Sequence, residues 1–167
     1  SEHARRYLAD CGLPKERTYV TGSPMAEVLH NNLAEIEASD VHRRLCLEKG
    51  KYILLSAHRE ENIDTEKNFL SLFTAINKMA EKYDMPILYS CHPRSRNRLA
   101  ISGFQFDSRV IQHEPLGFHD YNCLQMNAFA VVSDSGTLPE ESSFFTSVGH
   151  PFPAVCIRTS TERPEAI

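Results

Sequence analysis

The sequence predicts an α/β fold, a three-layer Rossmann-like domain built on a parallel sheet. Over the 167 residues, short apolar runs alternate with segments of helical periodicity. The runs at 52–56 (YILLS) and 128–133 (AFAVVS) are almost continuously apolar, as in strands that are buried on both faces. Strands separated by helices imply right-handed crossovers that cover both faces of one sheet.

The N-terminal part predicts a helix, a short strand and two further helices. Residues 2–10 have helical periodicity, and residues 18–22 (TYVTG) read as a strand that ends at a glycine. Residues 25–36 carry apolar side chains at helical spacing. Asp40 is expected to cap a short helix that continues through Leu47.

The rest of the chain predicts four more strands and four more helices around the run at 52–56. The longest helix is expected at 65–83, where apolar side chains form a single stripe. The other expected strands are 86–90, 109–112, 128–133 and 154–158, and the other expected helices are 95–100, 120–127 and 138–145.

Composition excludes several classes of protein. With 41% hydrophobic and 24% charged residues, the chain resembles a globular domain, and none of its apolar runs approaches the ~20 residues that span a bilayer. A net charge of −4 argues against a nucleic-acid-binding protein, which usually carries a basic excess. The five cysteines are widely spaced, which indicates free thiols and a cytoplasmic protein. Four of them are expected to pack as small hydrophobes: Cys46, Cys91, Cys123 and Cys156.

Both ends of the chain suggest a domain taken from a longer protein. Helical periodicity begins at once, and the sequence closes directly after the dense motif TERPEA at 161–166. The alternative is a short natural protein.

Four polar clusters follow predicted strands. They are AHREEN at 57–62, CHPRSR at 91–96, DSGT at 134–137 and TSTERPE at 159–165. Because ligands of open α/β sheets bind beyond the carboxyl ends of the strands, we expect the clusters to converge on one site.

The clusters have the chemistry of an anion site. Arginine and histidine donate to phosphate oxygens, and the DSGT loop precedes a helix whose N-terminal N–H groups favour an anion. The alternative is helix capping, in which Ser135 or Thr137 is the N-cap and a glutamate completes a capping box. Capping accounts for one of Glu140 and Glu141, and the other can accept hydrogen bonds from a ribose diol.

Two aromatic residues could contact a ligand, whereas the histidines do not predict a metal site. Tyr121 and Phe118 follow another strand, where each can stack on a base or pack into the core. The sequence predicts no metal site, since the histidines outside the polar clusters lack the spacing of metal ligands. It also predicts no cofactor, since neither GxGxxG nor a P-loop is present.

Five motifs carry a resemblance to a known family. They are YVTGSP at 19–24, SAHREEN at 56–62, HPRSR at 92–96, SDSGTLPEE at 133–141 and RTSTERPEA at 158–166. In this order they resemble the non-hydrolysing UDP-N-acetylglucosamine 2-epimerases over the whole chain. SAHREEN and RTSTERPEA are most similar to the branch that forms UDP-N-acetyl-L-fucosamine for surface polysaccharides.

The resemblance implies a two-domain enzyme of GT-B arrangement with its active site between the domains. Residues 1–167 would be the single C-terminal, UDP-binding domain, and the missing N-terminal domain would hold most of the acid/base carboxylates. The enzyme would bind UDP and a UDP-N-acetylhexosamine, need no cofactor, and form a homodimer at full length. The isolated chain is expected to be inactive.

The resemblance also implies the site residues. His58 would be catalytic beside the diphosphate, Ser135 and Gly136 would bind phosphate, Glu141 the ribose, and Tyr121 would lie against uracil. The other substrate-binding residues would be Arg59, Asn62, His92, Arg94, Arg158, Thr161, Glu162 and Arg163. The chain departs from the family at Thr137, where many members have glycine, and in the longer segment at 142–157.

Two other functions stay open on the sequence. One is the UDP-sugar-binding half of a GT-B glycosyltransferase, and the other is a nucleotide-sugar-binding module without catalytic activity.

Overall fold

A five-stranded parallel sheet forms the centre of the molecule and confirms the predicted fold class. The computed structural model describes residues 1–59, 62, 65–91 and 93–158, with the backbone alone at 66, 93 and 94. Its strands lie in the order β3-β2-β1-β4-β5, and the sequence placed each strand boundary within two residues. The strands are β1 (Ile53–Ser56), β2 (Ile87–Ser90), β3 (Val110–His113), β4 (Ala130–Ser133) and β5 (Ala154–Cys156).

The register of the sheet brings the ends of β1, β2 and β4 to one edge. Ser56 pairs with Ser90 on one side and with Ser133 on the other, and Ser133 pairs with Cys156. The last residues of β1, β2 and β4 therefore lie side by side, and the loops that follow them start at the same level.

The described part of the chain contains eight helices, together with a 3₁₀ turn at Lys15–Arg17. They are α1 (Glu2–Asp10), α2 (Met25–Asn31), α3 (Leu33–Glu37), α4 (Val41–Arg44), α5 (Glu66–Tyr83), α6 (Pro93–Ser102), α7 (Phe118–Met126) and α8 (Leu138–Ser147). None of these helices is long and apolar enough to cross a bilayer.

Each face of the sheet carries its own apolar cluster, because neighbouring residues of a strand point to opposite faces. Leu54 and Leu88 pack with α2, α3, α7 and α8, whereas Leu55 and Tyr89 pack with the stripe of α5. That stripe includes Phe69 and forms the core contact that its periodicity predicts.

The predicted strand at 18–22 is wrong. These residues form no regular secondary structure and pair with no strand of the described sheet. Tyr19 is 79% exposed and Val20 is 49% exposed. β-Branched and aromatic residues favour a strand only where a neighbour is available to pack against.

Two helix predictions in the same region also need correction. The helix expected over 25–36 is divided into α2 and α3 at Asn32, whose side-chain amide donates to the Val28 carbonyl at 2.8 Å. Such a local side-chain bond competes with the backbone hydrogen bonds of the helix. Asp40 precedes α4 but makes no capping hydrogen bond, because its carboxylate pairs with Arg43 and Arg44.

The cysteine prediction is correct for only two of its four residues. Cys91 and Cys123 are buried, whereas Cys46 and Cys156 are exposed. All five cysteines are free thiols.

Candidate functional site

An open cavity of about 350 Å³ lies beyond the carboxyl ends of β1 and β4. It brings together six of the residues that the sequence assigned to the site, and adds two. The lining residues are Ser56, His58, Arg59, Tyr121, Asp134, Ser135, Gly136 and Glu141.

Asp134 fastens the loop after β1 to the loop after β4. Its Oδ2 accepts hydrogen bonds from the backbone N–H groups of His58 at 2.9 Å and Arg59 at 2.8 Å, and from Asn62 Nδ2 at 3.1 Å. Arg59 Nε in turn donates to the Asp134 carbonyl at 2.9 Å. Asp134 is 2% exposed, so the accepting carboxylate lies away from water, whereas its donors are partly buried. The backbone N–H groups of His58 and Arg59 are thereby used, and a ligand would meet the side chains of these two residues.

Glu141 is held at both carboxylate oxygens. Thr137 Oγ1 donates to Oε1 at 2.6 Å, and Gln125 Nε2 donates to Oε2 at 2.8 Å. A carboxylate has about four acceptor sites, so each oxygen keeps room for a further donor. Two fixed neighbouring acceptors match the two hydroxyls of a vicinal diol.

Glu140 has a different partner. Its Oε2 accepts a hydrogen bond from Ser23 Oγ at 2.6 Å, which connects the start of α8 to the segment that precedes α2. Thr137 stands at the N-cap of α8 but makes no side-chain capping hydrogen bond. The capping interpretation therefore does not account for the Thr137 hydroxyl.

The loop between β4 and α8 offers donors for an anion. The Ser135 N–H donates to Ser133 Oγ at 3.0 Å, and the Thr137 N–H donates to Ser135 Oγ at 3.3 Å. No acceptor within the described residues takes the N–H of Gly136. This N–H lies at the start of α8, where the helix dipole favours a negative charge.

Tyr121 forms the inner wall of the cavity. It also packs against the apolar cluster of one sheet face, so the two interpretations of this residue are compatible. Burial, and then the negative charge of Glu141, raise the pKa of Tyr121 to about 12, against the opposing effect of hydrogen bonds with Ser56 and Ser133. The phenol is therefore neutral near pH 7. Phe118 is 42% exposed and does not line the cavity.

The structure does not bring all predicted site residues to this cavity. Asn62 follows β1 but does not line the cavity. Its Nδ2 donates to the Ile157 carbonyl at 2.9 Å and to Asp134. Arg158 follows β5, is half-buried, and does not line the cavity. The side chain of Arg94 and the residues His92, Thr161, Glu162 and Arg163 lie outside the described part.

The ligand-binding residues predicted from the sequence do not include three residues that shape the site: Asp134, Gln125 and Thr137. Asp134 could have been suspected as an acidic residue directly after a buried strand. Gln125 lies one helical turn after Tyr121, so helical spacing alone places it on the same face as that residue. The structure shows that it is wholly buried, and a buried polar side chain indicates a polar partner. Thr137 was considered only as a cap. Within the described residues, no three His, Cys, Asp or Glu side chains form a group that could hold a metal ion.

Comparison with known proteins gives concordant results. The family model described as UDP-N-acetylglucosamine 2-epimerase matches residues 1–167. A UDP-N-acetylglucosamine 2-epimerase of Methanococcus maripaludis is 29% identical over 166 residues, which cover 93% of this chain and 43% of the relative.

Two solved structures show the same arrangement of elements. The UDP-N-acetylglucosamine 2-epimerase from Rickettsia bellii superposes with a TM-score of 0.83 at 36% identity, over 99% of this chain and 42% of the other. The Methanocaldococcus jannaschii UDP-GlcNAc 2-epimerase, in complex with UDP-GlcNAc and UDP, gives a TM-score of 0.84 at 28% identity, over 99% and 46%. The chain thus spans less than half the length of these relatives.

Proposed function

Because the chain belongs to the UDP-N-acetylglucosamine 2-epimerase family, we propose that it is the UDP-binding domain of an enzyme that inverts C2 of a UDP-N-acetylhexosamine. One observation carries the proposal. A cavity at the carboxyl edge of the sheet places the anchored carboxylate of Glu141 beside the donors of Ser135 and Gly136. A diol acceptor next to an anion site matches a nucleoside diphosphate.

We propose that residues 1–167 are one domain of a two-domain, GT-B-type protein. The share of its relatives that the chain covers, between 42% and 46% in these comparisons, supports this division. The other domain would complete the cleft and supply the carboxylates that move the C2 proton. The family resemblance also supports a homodimer of the full-length protein.

The ligand would lie along the cavity in an order set by its lining. Glu141 would bind the ribose hydroxyls, Ser135 and Gly136 the phosphates, and Tyr121 would lie against uracil. His58 would stand beside the diphosphate as the catalytic residue of this domain, with Arg59 as a further cation. The remaining predicted residues, Asn62, His92, Arg94, Arg158, Thr161, Glu162 and Arg163, would support or complete the cleft.

The proposed reaction places its charge where these donors lie. A base removes the C2 proton, the C1–O bond breaks, and UDP leaves with the bonding electrons to give a 2-acetamidoglucal. UDP then adds back with a proton on the other face of C2. Donors fixed at the departing diphosphate stabilise the transition state more than the ground state, and the loss of one such donor typically costs about 10²- to 10³-fold in rate.

The finer assignment is to the branch that forms UDP-N-acetyl-L-fucosamine, for a surface polysaccharide such as a capsule. The motifs SAHREEN and RTSTERPEA support this branch. Product analysis of the full-length protein, with each candidate UDP-sugar as substrate and without an acceptor, tests both the branch and the reaction class.

Nucleotide selectivity tests the proposal on the chain itself. We expect UDP to bind more tightly than ADP in calorimetric titrations, because the proposed site holds uracil, rather than adenine, against Tyr121. Equal affinities, or binding of neither nucleotide at about 1 mM, would contradict the proposed site.

A further inference from the structure

Thr137 uses its hydroxyl in an unusual way for a residue at a helix N-cap. It accepts no hydrogen bond from the first turn of α8. Instead, Oγ1 lies 2.6 Å from Glu141 Oε1 and 2.9 Å from Ser135 Oγ. The hydroxyl therefore connects the residue proposed for phosphate to the residue proposed for ribose.

The direction of these hydrogen bonds follows from counting protons. An ionised carboxylate can only accept, so the single Thr137 hydroxyl proton is donated to Glu141. In the pair with Ser135, Thr137 Oγ1 must then be the acceptor and Ser135 the donor. If Ser135 donates its hydroxyl proton to a phosphate oxygen instead, Thr137 Oγ1 loses the hydrogen bond that it accepts, but the bond from Thr137 to Glu141 stays in place.

Gln125 holds the other oxygen of the same carboxylate. It is 0% exposed, and its Nε2 donates to Glu141 Oε2 at 2.8 Å. Its Oε1 has no hydrogen-bond partner in the described part of the chain. A buried amide with one unsatisfied atom is costly, and the bond from Nε2 to Glu141 is the side-chain interaction that offsets this cost.

We propose that Thr137 and Gln125 are positioning residues that orient Glu141 for a bidentate contact with a vicinal diol, and so make this site selective for ribonucleotides over 2′-deoxyribonucleotides. The inference rests on the proposed function, because it assumes that the cavity binds UDP. Both carboxylate oxygens must be fixed for two simultaneous hydrogen bonds. A ligand without the 2′-hydroxyl can use only one of them.

The experiment compares the affinities of UDP and 2′-deoxy-UDP by calorimetry. The unchanged chain is expected to prefer UDP by at least about 10-fold, the size of one hydrogen bond to a charged group. Thr137→Val removes the hydroxyl at nearly constant shape and is expected to reduce that preference about 3- to 10-fold, mainly by weakening UDP. Thr137→Ser keeps a hydroxyl and should retain the preference.

Thr146→Val is the matched control. Thr146 lies on the same helix, and its hydroxyl donates to the Ser142 carbonyl at 2.8 Å on the exposed side. This variant should leave both affinities unchanged. Gln125→Met provides an independent variant that releases the other oxygen of Glu141, and it should reduce the preference in the same way.

Three outcomes separate the possibilities. A preference that stays the same in Thr137→Val and Gln125→Met, with or without a change in Tm, would show that these residues are only structural and would overturn the inference. A Thr137→Ser variant that behaves like Thr137→Val would overturn it too, because the hydroxyl would not be the active feature. No UDP binding by the unchanged chain would instead overturn the proposed function, and this inference with it.

Discussion

At the scale of single residues, Glu140 and Glu141 show that adjacent carboxylates can have separate tasks. Ser23 donates to Glu140, whereas Gln125 and Thr137 donate to Glu141 in the wall of the cavity. Both residues lie in the first turn of α8, where a carboxylate contributes about 0.3–1 kcal/mol through the helix dipole. The helix dipole therefore stabilises both carboxylates alike, whereas a ligand in the cavity would contact Glu141 and not Glu140.

Replacing Glu141 by glutamine tests this distinction. The substitution keeps the shape of the side chain but removes its charge, and a ribose contact with a charged acceptor is worth about 1.5–3 kcal/mol. We expect Glu141→Gln to melt within a few degrees of the unchanged chain, in line with a loss of about 1 kcal/mol or less, and to lose most of its UDP affinity. Thermal unfolding and UDP titration measure the two effects.

Glu140→Gln is the control for that prediction, since it removes the same charge from the same helical turn outside the cavity wall. It should change neither quantity strongly. If Glu141→Gln lowers Tm and leaves UDP binding intact, Glu141 only supports the start of α8.

Asp134 is the second residue whose role can be measured. Asp134→Ala leaves the N–H groups of His58 and Arg59 and the Asn62 amide without their acceptor in a buried setting. Each buried donor left unsatisfied costs about 1–3 kcal/mol. We expect a lower free energy of unfolding in urea and faster hydrogen exchange at the His58 and Arg59 amides.

Asp134→Asn separates the oxygen from the charge. It keeps one oxygen for the three donors, so exchange at these two amides should stay closer to that of the unchanged chain. Exchange that is equally slow in all three proteins would contradict the role of Asp134 in fastening the loop.

At the scale of elements, the sequence predicts the central strands β1 and β2 well because they are buried on both faces. Residues 53–56 and 87–90 are wholly buried, and such runs cannot be replaced by polar residues without cost. The predictions fail where a tertiary partner decides. Residues 18–22 have strand-forming side chains but no strand to pair with, and Asn32 ends α2 by a side-chain bond that periodicity does not reveal.

The site was predictable for a related reason. A parallel register places loops that follow neighbouring strands at one edge, so His58, Ser135 and Glu141 could be grouped without a structure. The partners within the site could not, because Asp134 and His58 are 76 positions apart in sequence. The order of polar residues identifies a loop, whereas hydrogen-bond geometry depends on how the loops meet.

The packing of α4 against β1 predicts a pH dependence of stability. His42 Nε2 lies 3.0 Å from the Tyr52 hydroxyl, which itself donates to the Leu124 carbonyl. Nε2 must therefore donate, and Nδ1 of the neutral ring is left as the acceptor, 3.8 Å from Cys123 Sγ. Burial, and then the positive charge of Lys49, lower the pKa of His42.

The sign follows from linkage. A histidine whose folded pKa is lowered stabilises the protein fully above its unfolded pKa, about 6.5, and this contribution is lost as the pH falls through the folded pKa. We expect the free energy of unfolding in urea to decrease as the pH is lowered below about 6.5. His42→Gln should flatten this part of the profile.

A separate acid transition provides the internal reference. The Arg109 side chain lowers the pKa of Asp107 to about 2, so the stability from this pair is lost only at much lower pH. Asp107→Asn should therefore leave the profile near pH 6 unchanged. An identical slope there in His42→Gln and the unchanged chain would rule out His42 as its cause.

At the scale of the whole molecule, both carboxylates that line the cavity are already bound by donors of the protein itself. Asp134 Oδ2 already accepts three hydrogen bonds, and each oxygen of Glu141 accepts one. These hydrogen bonds fix the two carboxylates in position, and each oxygen of Glu141 keeps room for a donor from a ligand. Under the two-domain proposal, we expect this domain to bind the nucleotide and the other domain to transfer the C2 proton.

Isotope exchange tests that division of labour. In deuterium oxide, this chain is expected to bind UDP but to leave the C2 hydrogen of UDP-N-acetylglucosamine and of its deoxy-L-sugar relatives unexchanged, because the two-domain proposal assigns the base that removes this proton to the other domain. The exchange is followed by the C2 proton signal, and a full-length relative from the same family provides the positive control. Calorimetry with UDP on the same sample shows that the chain is folded and competent to bind, so a C2 proton signal that persists has only a catalytic cause. Measurable exchange by the chain alone would mean that the acid/base groups lie within these 167 residues, and the two-domain proposal would be wrong.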